Sequence, residues 1–227
     1  MNDRVLVWDL PLRIFHWVLA ASFAGAFLTA ESERLRDVHV LCGYTFAGAI
    51  AFRVVWGFAG TRHARFSALR FRPAAILREL QALVRGRPQR HVGHGPIGAV
   101  MIPLLLGLGA VVAASGWATY AQAGEWLEEL HEGAAVAMLV VVIGHVVGVV
   151  ATSVLSRENL VVPLLTGRKP RAAGGGIASS RPLVALLLLA ALAALWVPGL
   201  AARDERLAER RAHVAELGGG GRSHHGD

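Results

Sequence analysis

The apolar residues of this chain are gathered into five long blocks that are separated by polar segments. A helix that crosses the hydrocarbon core of a bilayer needs about 20 predominantly apolar residues. Each block reaches that length, so the pattern predicts five transmembrane helices and an all-α integral membrane protein. The blocks cover approximately residues 12–30, 38–59, 96–120, 130–155 and 182–200.

The first block follows Arg4 and Arg13, a layout that it shares with secretory signal peptides. It has His16 and Trp17 near its start, however, and lacks a convincing small-residue cleavage site. We therefore interpret it as a helix that stays in the protein.

Composition agrees with a membrane protein. Hydrophobic residues make up 54% of the 227 positions and charged residues only 17%, where a soluble domain has about a quarter. The net charge of +7 comes largely from arginines in the connecting segments, so no nucleic-acid partner is expected. The single cysteine, Cys42, excludes an internal disulfide, and the absence of Cys-x-x-Cys-His excludes covalent attachment of a c-type haem.

The arginines also predict orientation. The segments after the second and fourth blocks are strongly basic, whereas residues 31–37 and 121–130 are short and acidic. The positive-inside rule then places the N-terminus and the basic segments in the cytoplasm. Five spans would put the C-terminus outside, although the arginine-rich tail leaves another arrangement of the fifth helix open. The basic residues are Arg62, Arg65, Arg70, Arg72, Arg78, Arg85, Arg87 and Arg90 in the first segment, and Arg157, Arg168, Lys169, Arg171 and Arg181 in the second.

The domain organisation follows from the same pattern. Residues 1–170 form a four-helix bundle, residues 171–181 a glycine-rich linker, residues 182–200 the fifth helix and residues 201–227 a polar tail. The charged part of the tail could form a short surface helix, and its last residues read as a flexible end. His224 and His225 in that end could bind a metal loosely, but a disordered polar terminus is the better interpretation.

Four histidines lie inside predicted helices and sort into two depths. His16 lies near the cytoplasmic end of the first helix and His39 near the periplasmic end of the second. On the fourth helix, His131 lies near the periplasmic surface and His145 about 21 Å deeper, at 1.5 Å per residue. Their spacing of two heptads puts these two on nearly the same helix face.

This arrangement is what two stacked haems with two histidine ligands each would require. His39 would pair with His131 at one level and His16 with His145 at the other, around iron held by neutral imidazoles. Each histidine has a plainer explanation when taken alone, as an interfacial or near-surface polar residue. The paired depths favour the haem interpretation for the set. Small residues nearby would leave room for a porphyrin: Gly43, Ala47, Gly48, Ala134 and Ala135.

The sequence resembles the bacterial cytochrome b561 and nickel-iron hydrogenase b-type cytochrome family over approximately residues 5–170. The stretches that carry the resemblance are VWDLPLRIFHWVLAASF, VHVLCGYTFAGAIAFRVVWGFAGTRHARFS, GHGPIGAVMI and SRENLVVPLLTGRK, in that order. The resemblance implies a four-helix bundle in the bacterial inner membrane that holds two haems b and moves electrons between quinone and a redox partner. It also implies the axial ligands His16, His39, His131 and His145.

Three further residues are candidates at this site. Arg13 and Arg53 lie near the cytoplasmic ends of their helices, where they could bind haem propionates or extend to the lipid headgroups. His94, in GHGPIG, could line a quinone or proton-entry site, or cap the following helix, which we favour. His63 and His91 are expected to be solvated.

The resulting hypothesis is a dihaem cytochrome b that carries electrons between the quinone pool and a c-type cytochrome, hydrogenase or other dehydrogenase. It would act as a quinol oxidoreductase, as a subunit of one, or as a haem-bearing anchor for its partner. Residues 31–37 and 121–130 would then form an acidic docking surface. The alternative is a transporter of divalent metal or protons, which usually has more carboxylates within its spans; here only Glu132 lies near the histidine stripe.

Overall fold

The computed structural model describes residues 4–87, 89, 91, 93–170 and 175–220. Five helices in these ranges are long and apolar enough to cross a membrane, which confirms the predicted all-α architecture. The α-helices of the described residues are α1 (Leu10–Thr29), α2 (Arg36–Ala59), α3 (Pro73–Val84), α4 (Pro96–Tyr120), α5 (Trp126–Ser156), α6 (Val162–Thr166) and α7 (Pro182–Gly220).

The spanning helices form two closely packed pairs. α1 packs along α2, and α4 packs along α5, while α2 also contacts α4 and so joins the pairs. Their common core is an apolar cluster halfway along the helices. The outward faces carry many exposed valines and leucines, especially on α5 and α7, as expected for helices in contact with lipid. The core cluster consists of Phe23, Phe46, Ile50, Val112, Ala134 and Met138.

A short antiparallel sheet closes the end of the bundle at which the N-terminus lies, which we call the near side. Strand β1 (Arg4–Leu6) pairs with strand β2 (Arg168–Pro170), so the segment before α1 meets the segment after α5. The carbonyl of Gly167 accepts hydrogen bonds from the amides of Val7 and Trp8. Gly167 has φ +76, in the left-handed region that favours glycine. These long-range pairings were not predicted from the sequence.

The basic segment between α2 and α4, which we expected to be a loop, contains helix α3. Pro73 at its first turn suits a helix start. Glu79 attaches the helix to the bundle, because its carboxylate accepts hydrogen bonds from the Ile97 amide at 2.8 Å and from His91 Nε2 at 3.0 Å. The expectation that His91 is solvated is therefore wrong.

Helix α7 packs against the outer surface of α1 and α2. It starts beside α1, where the Leu10 amide donates to Ser180 O at 2.9 Å. Further along, Trp196 Nε1 donates to Thr45 Oγ1 at 2.9 Å, and Arg206 lies 3.4 Å from Asp37 at the start of α2. α7 therefore runs parallel to α1 and crosses to the far side of the bundle. It continues as helix beyond residue 200, whereas residues 171–174 of the predicted linker and the tail residues 221–227, with His224 and His225, lie outside the described residues.

Candidate functional site

Three helices present side chains at seven-residue intervals toward the same interior. α5 carries His131, Met138 and His145; α2 carries His39, Phe46 and Arg53; α1 carries His16 and Phe23. Met138, Phe46 and Phe23 belong to the central apolar cluster, and the Phe23 and Phe46 rings lie 5.8 Å apart. Because seven residues make nearly two turns of helix, each series follows one face. The histidines are thus divided into a far level and a near level, above and below an apolar layer.

At the far level, His39 and His131 face each other across the bundle. Their ring centroids are 6.2 Å apart, and the ring planes are nearly perpendicular, at 88°. His39 Nδ1 donates to Ala26 O at 2.9 Å, and His131 Nδ1 donates to Val112 O at 3.0 Å. A carbonyl oxygen can only accept, so both Nδ1 atoms carry the proton. In the neutral form of each ring, Nε2 then has the lone pair that binds a metal.

This pair fits a shared iron ion. Metal–nitrogen bonds of imidazole are about 2 Å long, so two rings that bind one ion from opposite sides have centroids about 6 Å apart. The Nδ1 hydrogen bonds fix the orientation of the rings, as they usually do for histidines bound to metals. The geometry and protonation of His39 and His131 thus agree with the axial ligands of a haem.

The neighbouring helix α4 supports His131 closely. Ser115 Oγ lies 3.3 Å from His131 Nδ1, beside the Val112 carbonyl. A Cβ on Gly116 would lie 2.7 Å from His131 Cε1, so any side chain there would push the imidazole out of place. Helix α4 provides no histidine, but it sets the position of the one on α5.

At the near level, His16 and His145 lie close enough to interact electrostatically. His16 Nδ1 is buried and has no hydrogen-bond partner among the described residues. A buried polar atom without a partner is costly, and only a group that binds Nδ1 itself would remove this cost. The structure therefore places His39 beside His131 and His16 within electrostatic range of His145, and the role of the four as haem ligands stays a prediction.

The backbone of α5 stands apart from those of α1 and α2. In the described chain, α5 has no extensive backbone packing with α1 or with α2, although its histidines face those two helices. Small and medium apolar side chains such as Ala135 and Val142 lie between these helices and pack against the central cluster. A flat macrocycle needs the helices that bind its metal to be separated at the backbone in this way.

Arg53 stands at the near level on α2, 14 residues after His39. Only 2% of it is exposed, its guanidinium lies 4.8 Å above the Phe66 ring, and its Nη1 atom has no hydrogen-bond partner in the part of the chain that the structure describes. Asp9 contributes an electrostatic attraction. A buried cation of this kind needs a second anion close by, and a haem propionate would fit.

Arg13, the other candidate for propionate binding, is already engaged. Its Nε donates to Leu164 O at 3.1 Å and its Nη2 to Leu165 O. The last carbonyls of a helix have no hydrogen-bond donor within that helix. The guanidinium of Arg13 therefore supplies the donors for two carbonyls at the end of α6.

His94 does not cap α4. The cap position is Gly95, and no side chain fills that role there; the Ile97 amide is bound by Glu79 instead. The His94 ring packs against Trp8 with centroids 4.6 Å apart. Burial, and then the positive charges of Arg53, Lys169 and His63, lower the pKa of His94 to about 3, so it is neutral at pH 7. Our preferred expectation of a helix cap is wrong, and the quinone or proton role stays a prediction.

The sequence analysis missed a buried polar cluster on the near side. Asp9 is fully buried and accepts hydrogen bonds from the Leu12 amide, from Trp56 Nε1 and from Thr61 Oγ1, at 2.5–3.2 Å. Lys169 donates to His91 O at 2.9 Å, and burial lowers its pKa. Within this cluster, only Asp9 could have been identified from the sequence, because it directly precedes a helix and aspartate is a favoured N-cap residue. His63, expected to be solvated, packs edge-on against Trp8.

Comparison with known proteins assigns residues 7–167, more than half of the chain, to the family described as prokaryotic cytochrome b561. Among similar curated proteins is the "Probable Ni/Fe-hydrogenase B-type cytochrome subunit" of Azotobacter chroococcum mcd 1, 31% identical over 158 residues, covering 57% of this chain and 66% of the relative. Proteins of that name from Azotobacter vinelandii and Cupriavidus necator are 28% and 24% identical; the matches cover 73% and 71% of this chain and 88% and 85% of the relatives. No solved structure matches.

Proposed function

This chain belongs to the prokaryotic cytochrome b561 family, and we propose that it carries electrons across the membrane through two haems, between quinone and a redox partner. It is a multi-pass membrane b-type cytochrome, and its function is electron transfer. Haem supplies the change of oxidation state in such proteins. The protein contributes the axial imidazoles, an apolar environment and the nearby charges that set the reduction potential.

The observation that supports two haems most strongly is the occurrence of two histidine pairs at two depths. His39 and His131 would hold one haem and His16 and His145 the other. Arg53 would bind a propionate of the near haem, since it is buried and its Nη1 is unpaired among the described residues. Arg13 is the weaker candidate because carbonyls already occupy it.

The partners follow from the family and the charge distribution. The relatives are named as subunits of a nickel-iron hydrogenase, so a hydrogenase is our first proposal and a c-type cytochrome or another dehydrogenase the alternative. The far side carries exposed acidic residues and exposed Trp117 and Trp126 close to the His131 level. This surface suits a partner with a basic patch. Quinone would react on the near side, where His94 is the candidate for contact or proton transfer.

The arginine distribution supports a location in the bacterial inner membrane with the N-terminus in the cytoplasm. Near-side segments are rich in arginine, and the connections on the far side are acidic. The alternative of a metal or proton transporter gains no support from the family. Such a transporter would be expected to have carboxylates within its spans. Asp9 is a fully buried carboxylate, but it lies at the start of α1 and already accepts hydrogen bonds from three donors.

Paired substitutions test the ligand assignment. We expect His16→Ala and His145→Ala each to remove one of the two haems, and the double variant to lose no more than either single variant. His39→Ala and His131→Ala should remove the other haem, whereas His16→Ala with His39→Ala should remove both. The measurements are the haem-to-protein ratio and the dithionite-reduced absorption spectrum of purified protein.

Val140→Ala is the matched control, because Val140 lies on the exposed face of α5 between the histidines. It should keep both haems. Gel filtration of each variant in detergent separates lost haem from lost fold. Folded wild-type protein without a b-type spectrum would contradict the proposed function, whereas loss of both haems from folded His145→Ala, or of neither, would contradict the pairing alone.

A further inference from the structure

Helix α3 has an exposed apolar face that no part of the described chain covers. Leu77, Leu80 and Val84 are spaced three and four residues apart, which places them on one side of the helix, and all three are exposed. Phe71, just before the helix, is exposed as well. The opposite side, which includes Ala75, Glu79 and Ala82, is turned partly inward. Exposed apolar side chains in this pattern are typical of a helix that lies in the membrane interface.

Arginines surround this apolar face. Arg70 and Arg72 precede α3, Arg78 lies within it, and Arg85 and Arg87 follow it; all five are exposed. Glu79 is the only acidic residue between Ala59 and His94, and its carboxylate is turned to His91 and the Ile97 amide. The outward surface of α3 therefore carries positive charge beside apolar side chains, with no acidic residue of this segment opposing it.

The attachments of α3 fix its depth. Glu79 ties it to the first turn of α4, and at its other end Gly86 lies beside the Leu155 side chain near the end of α5. Both contacts are made at the near-side ends of spanning helices. The apolar face thus lies at the boundary between the hydrocarbon core and the lipid headgroups.

We propose that α3 and its five arginines form a binding surface for anionic phospholipid, with the apolar side chains among the acyl chains and the guanidinium groups on the phosphates. A guanidinium binds phosphate oxygens through two parallel hydrogen bonds, and basic residues beside a membrane surface attract anionic lipid. This surface is separate from the histidine pairs, so the proposal does not depend on the haem assignment.

The test uses the full-length protein, purified in detergent and stripped of lipid, then mixed with phosphatidylglycerol or phosphatidylcholine. Native mass spectrometry counts the bound lipids. We expect wild-type protein to retain phosphatidylglycerol preferentially. Arg70→Gln, Arg72→Gln, Arg78→Gln and Arg85→Gln, combined in one variant, should lower its affinity for phosphatidylglycerol about tenfold or more, because each charge near the surface contributes several-fold. Affinity for phosphatidylcholine should change little.

Arg34→Gln with Arg36→Gln is the matched control, since both residues are exposed but lie on the far side. It should bind phosphatidylglycerol like the wild type. A second variant, Leu77→Ser with Leu80→Ser, should weaken the binding of both lipids. The proposal is overturned if the four-arginine variant retains phosphatidylglycerol as the wild type does, if the control loses it equally, or if a protein subunit rather than lipid is found on α3. Gel filtration in detergent shows whether each variant is folded.

Discussion

Arg53 is the residue whose charge should matter most for electron transfer. A reduced haem carries one positive charge fewer than an oxidised haem, so a buried cation nearby favours the reduced form. We expect Arg53→Gln to lower the midpoint potential of one haem by about 59 mV. For one electron, this is a tenfold change in the equilibrium constant between the reduced and oxidised haem. Potentiometric titration of the b-type absorption band measures this.

Arg13→Gln is the control for that measurement. It removes a charge from the same side of the bundle, but from a guanidinium that already binds the carbonyls of Leu164 and Leu165. Its effect on the potential should be smaller. Equal shifts in both variants would mean that Arg53 acts only through the general field of the near side.

His94 should make stability depend on pH. Its folded pKa of about 3 is below the ordinary 6.5 of histidine, so as pH falls below about 6.5 the unfolded chain takes up a proton that the folded chain does not. Stability therefore falls across this window, by up to about 2 kcal/mol at pH 5. Thermal unfolding in detergent at pH 7 and pH 5 should show a smaller difference for His94→Gln than for wild type; an identical difference would contradict this reasoning.

At the scale of single elements, the sequence predicted some helices far better than others. α5 could be recognised because 31 consecutive residues are nearly all apolar apart from its ends and His145, and its two histidines share a face by simple periodicity. α3 was missed because its arginines dominated the interpretation of the segment. The spacing of Leu77, Leu80 and Val84, with Pro73 at the start, was the available signal.

Glu79 gives a test of how α3 is held. Glu79→Ala removes the acceptor for both the Ile97 amide and His91 Nε2, leaving partly buried donors unpaired. We expect a loss of about 1–3 kcal/mol in stability, measured by denaturation of the purified protein. Gln81→Ala, on the exposed side of the same helix, should cost much less. A similar loss in both variants would show that helix propensity, rather than the attachment to α4, is responsible.

At the scale of the whole molecule, five spans would put Arg4 and Arg206 on opposite sides of the membrane. α7 begins beside the start of α1 and reaches Asp37 at the start of α2. In a Cys42→Ser background, Ala208→Cys should react with a membrane-impermeant maleimide in spheroplasts, and Arg4→Cys only after the membrane is opened; both positions are exposed. Reaction of both, or of neither, before opening would require a different number of crossings.

The sequence predicted well the features that follow from periodicity along one helix. It predicted poorly the contacts between segments that are far apart in the chain. Spans and histidine depths follow from hydropathy and a rise of 1.5 Å per residue. Three contacts join segments that are distant in sequence: the burial of Asp9 against Trp56 and Thr61, the pairing of β1 with β2, and the hydrogen bond from the Ile97 amide of α4 to Glu79. No local pattern encodes such contacts, which is also why His91 and His94 were misjudged.

The register of α5 restricts how this protein can diverge. Its exposed apolar positions can exchange valine, leucine and isoleucine freely, because lipid accepts all three. An inserted or deleted residue between His131 and His145 would instead rotate one imidazole about 100° around the helix axis relative to the other. That imidazole would then point away from its partner histidine on α1 or α2. Homologues that keep both histidine pairs should therefore vary in composition over this stretch but never in length.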